Sequence, residues 1–224
     1  VLDFYSGSHH HKHEVFTNYA KHHSKRNNVE AEIDRCFAFI DKHSCAAQNI
    51  FVNSNHHNHL ARWVKETDPR QDPENAVFWA RTFEEMCRGT RMTEKGAQTP
   101  DPFVFWAKRK LECALESVFL NPDESYEIVG IEVGYHGDRG ANGARGSIKA
   151  FGKIGAKTVI GHSHTPGIKD GVFQTGTSSL LRLEYTHGPS SWLHTHCLIY
   201  GNGKRTLVNI IDGKWRARPR RRTA

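Results

Sequence analysis

The sequence predicts an α/β fold: a layered domain of strands flanked by helices, with a helical region inserted in its middle. Three observations predict it. Short hydrophobic runs that stop abruptly at His, Asn or Gly recur in both halves of the chain. Helical spacing of apolar residues fills most of the interval between them. A β-rich stretch with a hairpin turn at Gly201-Asn202-Gly203 closes the sequence. The order is α/β, a helical excursion, α/β again, then a β-meander, which is the order of a layered α/β domain.

The elements follow in chain order. Residues 1–4, Val-Leu-Asp-Phe, read as the end of a buried strand, and Tyr5 to His13 as a loop. Glu14 to Lys25 reads as a helix. Val29 to His43 reads as a clearer one, because Ile33, Phe37 and Ile40 recur at spacings of four and three. Asn49 to Asn53 is a short strand, and the helix opened by residues 54–59 ends near Glu66. Asp72-Pro73-Glu74 starts a helix running to Cys87, with proline at its first position. Thr99-Pro100-Asp101-Pro102 starts another, running to about Phe119. A strand over Tyr126 to Val133, a glycine-rich loop, a short helix over Ser147 to Ile154 and a strand over Thr158 to Ile160 follow. Gly171 to Gln174, Leu180 to Tyr185, Ser191 to Tyr200 and Arg205 to Ile211 are the closing strands. Residues 1–215 are expected to form a single domain with 60–120 as its helical insertion, and 216–224 a basic flexible tail.

Composition narrows the function classes. Of 224 residues 37% are hydrophobic and 25% charged, and no apolar run reaches the ~20 residues of a membrane span, so no membrane partner is expected. Five scattered cysteines without a Cys-x-x-Cys pair read as reduced thiols, and with no visible export signal a cytoplasmic setting is expected. The net charge of +7 attracts polyanions such as DNA. Part of it lies in Arg216 to Arg222, a segment that reads equally as a solvated end. Histidine is the outlier, with 16 residues, and histidine is the commonest metal ligand and acid–base group near neutral pH.

The chemistry concentrates in three segments that share one pattern, a hydrophobic strand that stops and is followed by His with Asn or Gly. They are Phe51 to His56, Val133 to Gly137, and Val159 to His164. Loops after strand carboxyl ends are where open α/β sheets place their sites. Imidazole nitrogens and carbonyl or carboxylate oxygens suit Mn, Zn, Fe or Ni, and two such ions can act together on a phosphoester. His162 and His164, one residue apart at a strand end, can each reach a different ion, while His56 can stand outside and protonate a leaving oxygen. Arg139 and Arg145, in the loop after His136, can bind a phosphate oxygen or be merely solvated. His9, His10, His11 and His13 read as a solvated loop or as lining of the same cleft. His57 and His59 read as capping or solvent-facing, with His57 also a candidate for contact with substrate. His194 and His196 alternate on one strand face, as a ligand pair or a structural pair.

These segments resemble those of the calcineurin-like metallophosphoesterases, whose later motifs are Gly-Asn-His-Asp/Glu, a strand-end His and Gly-His-x-His. Here they are Ser54-Asn55-His56-His57, His136 and Gly161-His162-Ser163-His164. The last is the most specific; the first is degenerate, with Ser54 for Gly and His57 for the acid. The resemblance spans about residues 1–170, and more weakly the tail from Gly176 to Trp215 is similar to phage-encoded members. It implies a sheet sandwich flanked by helices and a two-metal site for two divalent ions. Asn55, His136 and His162 would hold one ion, His164 would hold the other, and His56 would be the catalytic acid oriented by Asp3. The family's first motif, Asp-x-His, has no counterpart in these residues, and its bridging Asp would fall immediately before Val1. The chain is therefore expected to be part of a longer reading frame, with weak metal binding and little turnover of its own. The expected activity is hydrolysis of a phosphodiester in nucleic acid, inside the host cytoplasm if phage-encoded. The alternatives are a phosphatase acting on a small or protein phosphoester, and an incomplete chain that binds DNA.

Overall fold

A computed structural model of the chain describes residues 3–44, 48–183 and 188–215, without the side chain of His9. The basic tail and the end of the strand expected at 180–185 lie outside the described residues. The protein is a mixed α/β structure with helices and several separate sheets. It divides into two compact units, Val1–Phe119 and Leu120–Ala224. Among the described residues no helix is long and apolar enough to cross a membrane.

The first unit contains α1 (Val15–His23), α2 (Val29–His43), β1 (Asn49–Phe51), α3 (Asn55–Glu66), α4 (Ala76–Gly89), β2 (Arg91–Thr93), β3 (Gly96–Gln98), α5 (Pro102–Lys110) and β4 (Ser117–Phe119). Its core is the apolar faces of the helices: Val29, Ile33, Phe37 and Ile40 of α2, Leu60, Trp63 and Val64 of α3, Phe78 of α4, and Phe103 and Ala107 of α5. The stretch 60–119 holds most of α3, all of α4 and α5 and the short strands β2, β3 and β4, and its helices share this core with α2. Asn28 caps α2, its side chain accepting from the Ala31 N–H at 2.8 Å. Asn75, 3% exposed, joins α2 to α4: its Oδ1 accepts from the Val29 N–H at 2.8 Å, and its Nδ2 donates to the Asn27 carbonyl at 2.8 Å. Glu32 of α2 holds the loop after Asp3, accepting from the Tyr5 N–H at 2.9 Å and the Ser6 N–H at 2.7 Å.

Three expectations are corrected in this unit. Residues 3 and 4 are not in a strand, and Phe4 is buried with φ +60°. The helix expected from Asp72 begins after Asn75, because residues 72–75 turn to deliver the Asn75 side chain to α2. The helix expected to reach Phe119 ends at Lys110; a 3₁₀ turn at Ala114–Glu116 follows, and Ser117–Phe119 pairs in parallel with β1. That pairing joins segments more than sixty residues apart, so local spacing carries no trace of it.

The second unit contains β5 (Glu127–Ile128), β6 (Ile131–Glu132), α6 (Ile148–Gly152), β7 (Thr158–Ile160), β8 (Gly167–Lys169), β9 (Val172–Gln174), β10 (His194–Ile199) and β11 (Arg205–Ile210). Five strands form one sheet in the order β5-β6-β7-β9-β8; β6, β7 and β9 run parallel, and the edge strands run antiparallel to them. Phe151, Ile160 and Val172 form its small core, with Tyr135 and Ile148 packed on it. The single strand expected at 126–133 is a tight hairpin, because Val129 (φ +48°) and Gly130 (φ +69°) both turn into the left-handed region. Residues 180–183 form no strand. The hairpin β10–β11 forms as expected about the 201–203 turn. Arg205 ties it to the larger sheet, donating to the Thr158 and Gly171 carbonyls at 2.8 and 2.7 Å.

Replacing Asn75 with Ala leaves the buried Val29 N–H without its acceptor. Asn75→Ala is expected to cost about 1–3 kcal/mol in urea unfolding of the full chain, whereas Asn18→Ala on the exposed face of α1 is expected to cost under about 0.5 kcal/mol.

Candidate metal centre and its surroundings

In the second unit the three parallel strands end side by side. Beyond the paired residues Glu132 and Thr158, the Gly161 N–H donates to the His136 carbonyl at 2.9 Å, and the Thr175 N–H to the Ile160 carbonyl at 2.8 Å. His136 and Gly161 are thus neighbours at the carboxyl ends of β6 and β7. Gly137 has φ +110°, and a Cβ there would sit 3.2 Å from the Ile160 Cβ; a Cβ on Gly146 would overlap the Gly137 carbonyl at 1.8 Å. Both glycines let the loop after His136 fold tightly over the end of β7. Below His136, the buried Glu132 carboxylate accepts from the Gly134 N–H at 2.6 Å, the Tyr126 N–H at 3.1 Å and the Ser125 hydroxyl, which fixes the path of the chain out of β6.

This packing brings His136 and His162 together. The His162 Nδ1 lies 3.3 Å from the His136 Nε2, with the rings nearly perpendicular at 78°. The contact is a hydrogen bond in which one ring nitrogen donates to the other. Two nitrogens bound to one ion at about 2.1 Å, with an angle near tetrahedral or octahedral, are about 3.0–3.4 Å apart, so the spacing is also compatible with two ligands of a single transition metal. Burial holds the His162 ring below its ordinary pKa, with Asp138 opposing and the Arg145 guanidinium adding to the effect. A neutral imidazole is the form that ligates. His162 (φ +65°) and His164 (φ +61°) both occupy the left-handed region, which costs energy for residues with a side chain. Such strain gathers at functional sites, because only the surrounding structure can hold it in place.

His164 follows two residues later and packs on the return of the chain to β10. Its ring meets Trp192 edge to face at 4.3 Å between centroids, and its carbonyl accepts from the Leu193 N–H at 3.4 Å. Trp192 carried no signal in the sequence, since only the return of the chain to β10 places it there. Arg139 is paired with Asp123 at 3.1 Å and lies 3.8 Å from Asp138; its backbone bridges to Arg145, which is exposed. The His194 Nε2–H donates to the Ser179 carbonyl at 2.7 Å, while His196 is exposed.

Asp3, Asn55, His56 and His57 belong to the first unit. Ser54 stands at the N-cap position of α3, its side chain making no capping hydrogen bond, and Asn55 and His56 lie in the first turn. His56 and Asp3 meet, through the backbone: the His56 Nδ1 lies 3.4 Å from the Asp3 main-chain carbonyl, and Asp3 is exposed. The His56 ring is 5.1 Å from that of His59, which is 5.8 Å from that of His10, so the histidine-rich loop folds onto the start of α3. His57 is neither capping nor solvent-facing but buried, 8% exposed, stacked on Phe103 at 4.2 Å. Asn53 Nδ2 donates to its Nδ1 at 3.2 Å and to Asp101 Oδ2 at 3.0 Å, while Asp101 Oδ1 caps α5. Burial drives the His57 pKa down to about 4, against the pull of Asp101. The 3.9 Å approach of His57 to Asp101 is therefore not an ion pair at neutral pH.

Among the described residues no group of three or more His, Cys, Asp or Glu side chains converges on a common ion position. The four described cysteines, Cys36, Cys87, Cys113 and Cys197, form no disulfide.

Over 174 residues, 75% of its length, the chain is 38% identical to Protein A1 of Escherichia phage T5. The match takes in 30% of that protein, so the chain spans less than a third of the relative's length. No protein-family profile matches the sequence, and no solved structure matches it.

The depressed pKa of His57 has a pH consequence. Between about pH 6.5 and 4 the unfolded chain takes up a proton at this ring that the folded chain refuses, so His57 lowers stability as the pH falls through that window. His57→Gln is expected to flatten the pH dependence of the urea midpoint over this range, whatever its effect at pH 7.

Proposed function

We propose that the protein is a metal-dependent phosphoesterase of the calcineurin-like kind, phage-encoded and acting on phosphodiester bonds of nucleic acid in the host cytoplasm. With this reading goes the finer fold expectation, a layered sheet sandwich flanked by helices. The observation that carries it is the His136–His162 pair, two ring nitrogens 3.3 Å apart at the ends of adjacent parallel strands, the second on a strained backbone. Similarity to a phage protein supports the phage origin, and the net charge of +7 supports a polyanionic substrate.

In this reading His136 and His162 hold one divalent ion, and His164 serves a second. Manganese, zinc, iron or nickel ions, when bound, supply an activated water and charge neutralisation at phosphorus. The chain's own residues do the rest. The His56 Nδ1–H, held toward the Asp3 carbonyl, orients the ring, and in the imidazolium form its Nε2–H is the proton that can be given to a leaving oxygen, leaving the neutral ring. Arg145, whose charge reaches His162, is suited to bind a phosphate oxygen; Arg139 must first leave Asp123 to do so. His57, packed in the core, acts by fixing the first turn of α3 rather than by touching substrate.

A second reading is a chain that binds nucleic acid without hydrolysing it. It is favoured by the lack, among the described residues, of a convergent group of three protein ligands.

Manganese titration by calorimetry, together with hydrolysis of bis(p-nitrophenyl) phosphate, separates the two. Hydrolysis is expected to be weak and to require the divalent ion. His136→Ala and His162→Ala are each expected to lower metal affinity at least about tenfold and to abolish hydrolysis. His56→Ala is expected to spare metal affinity and lower kcat about 100-fold or more. Metal affinity indifferent to His136→Ala and His162→Ala would leave the second reading standing.

A further inference from the structure

Helix α1 has its faces reversed. The buried residue among Val15–His23 is Lys21, 3% exposed, whose ammonium lies 4.7 Å from the Tyr5 ring centroid. The apolar residues face water instead: Phe16 is 89% exposed, Val15 74% and Tyr19 68%. Single exposed apolar residues are ordinary, but three on one short helix that docks through a lysine mark an interaction surface.

The surface is aromatic and cationic. Phe16, Tyr19 and His23, spaced three and four apart, lie along one helix face. Tyr19 and His23 are already stacked, with centroids 5.9 Å apart and planes 9° from parallel. Lys12 and Lys25, on either side of α1 in the sequence, are exposed, while the Arg26 guanidinium lies over the Tyr5 ring at 4.4 Å; Glu14 is the one acidic residue between positions 9 and 26. Flat rings stack on unpaired bases and cations track the phosphates, which is how proteins hold single strands without reading sequence. A duplex keeps its bases stacked inside and offers such rings nothing. We propose that α1 is a binding platform for single-stranded nucleic acid, with Phe16 and Tyr19 stacking on bases and Lys12 and Lys25 holding phosphates. This names the strand state of the polyanion in the function proposed above, and rests on that reading for its place in a reaction but not for binding.

The test is fluorescence anisotropy of the full chain in EDTA, with a labelled oligothymidylate and a duplex of equal length. Phe16→Ala and Tyr19→Ala are each expected to weaken single-strand binding about fivefold or more and to leave duplex binding unchanged. Lys25→Ala is expected to weaken both. The substituted residues are exposed, so the variants keep the wild-type circular dichroism. Unchanged oligothymidylate affinity in the Phe16→Ala/Tyr19→Ala double variant overturns the proposal. So does a dimer in sedimentation velocity that Phe16→Ala converts to monomer, which assigns the face to a second copy. EDTA keeps the two ideas apart: a chain that hydrolyses phosphodiesters but ignores these substitutions sinks the platform alone, and one that binds but never hydrolyses sinks the phosphoesterase alone.

Discussion

One main-chain hydrogen bond, from the Gly161 N–H to the His136 carbonyl at 2.9 Å, joins the ends of β6 and β7, and the geometry of the histidine pair depends on it. The parallel register of Glu132 with Thr158 sets the two strands so that they finish level. Gly137 and Gly146 then let the intervening loop lie flat against the end of β7. With the chain so constrained, His162 turns into the left-handed region and its ring arrives beside His136. A one-residue slip between β6 and β7 would reverse the faces and part the rings.

The first unit solves a similar problem with side chains. Asn53, His57 and Asp101 form a buried polar chain in which Asp101 serves both Asn53 and the start of α5. Because a buried imidazole needs its nitrogen satisfied, this arrangement holds the first turn of α3 against Phe103. Asn55 and His56 ride on that turn. Burial that keeps His57 neutral thus serves the position of its neighbours.

Much of this was legible in the sequence, and the failures have physical causes. The bounds of α2 follow from Ile33, Phe37 and Ile40, because local spacing decides an amphipathic helix. The candidate histidines were legible because strand ends followed by His-x-His are rare in form. The hairpin at Val129-Gly130 was not, since a β-branched residue at positive φ defies local preference and is imposed by the sheet. The early end of α5 depends on a partner strand far away in sequence. The burial of His57, the contact of Trp192 with His164 and the reversed faces of α1 depend on which surfaces meet, which periodicity does not encode.

The claim on which the account turns is that His136 and His162 are two ligands of one metal ion. Zinc-edge X-ray absorption of the full chain with one equivalent of Zn²⁺ tests it most directly. At least two imidazole nitrogens are expected at about 2.0–2.1 Å, with the imidazole scattering reduced in His136→Ala. An oxygen-only shell, or an imidazole signal unaltered by that substitution, would contradict it.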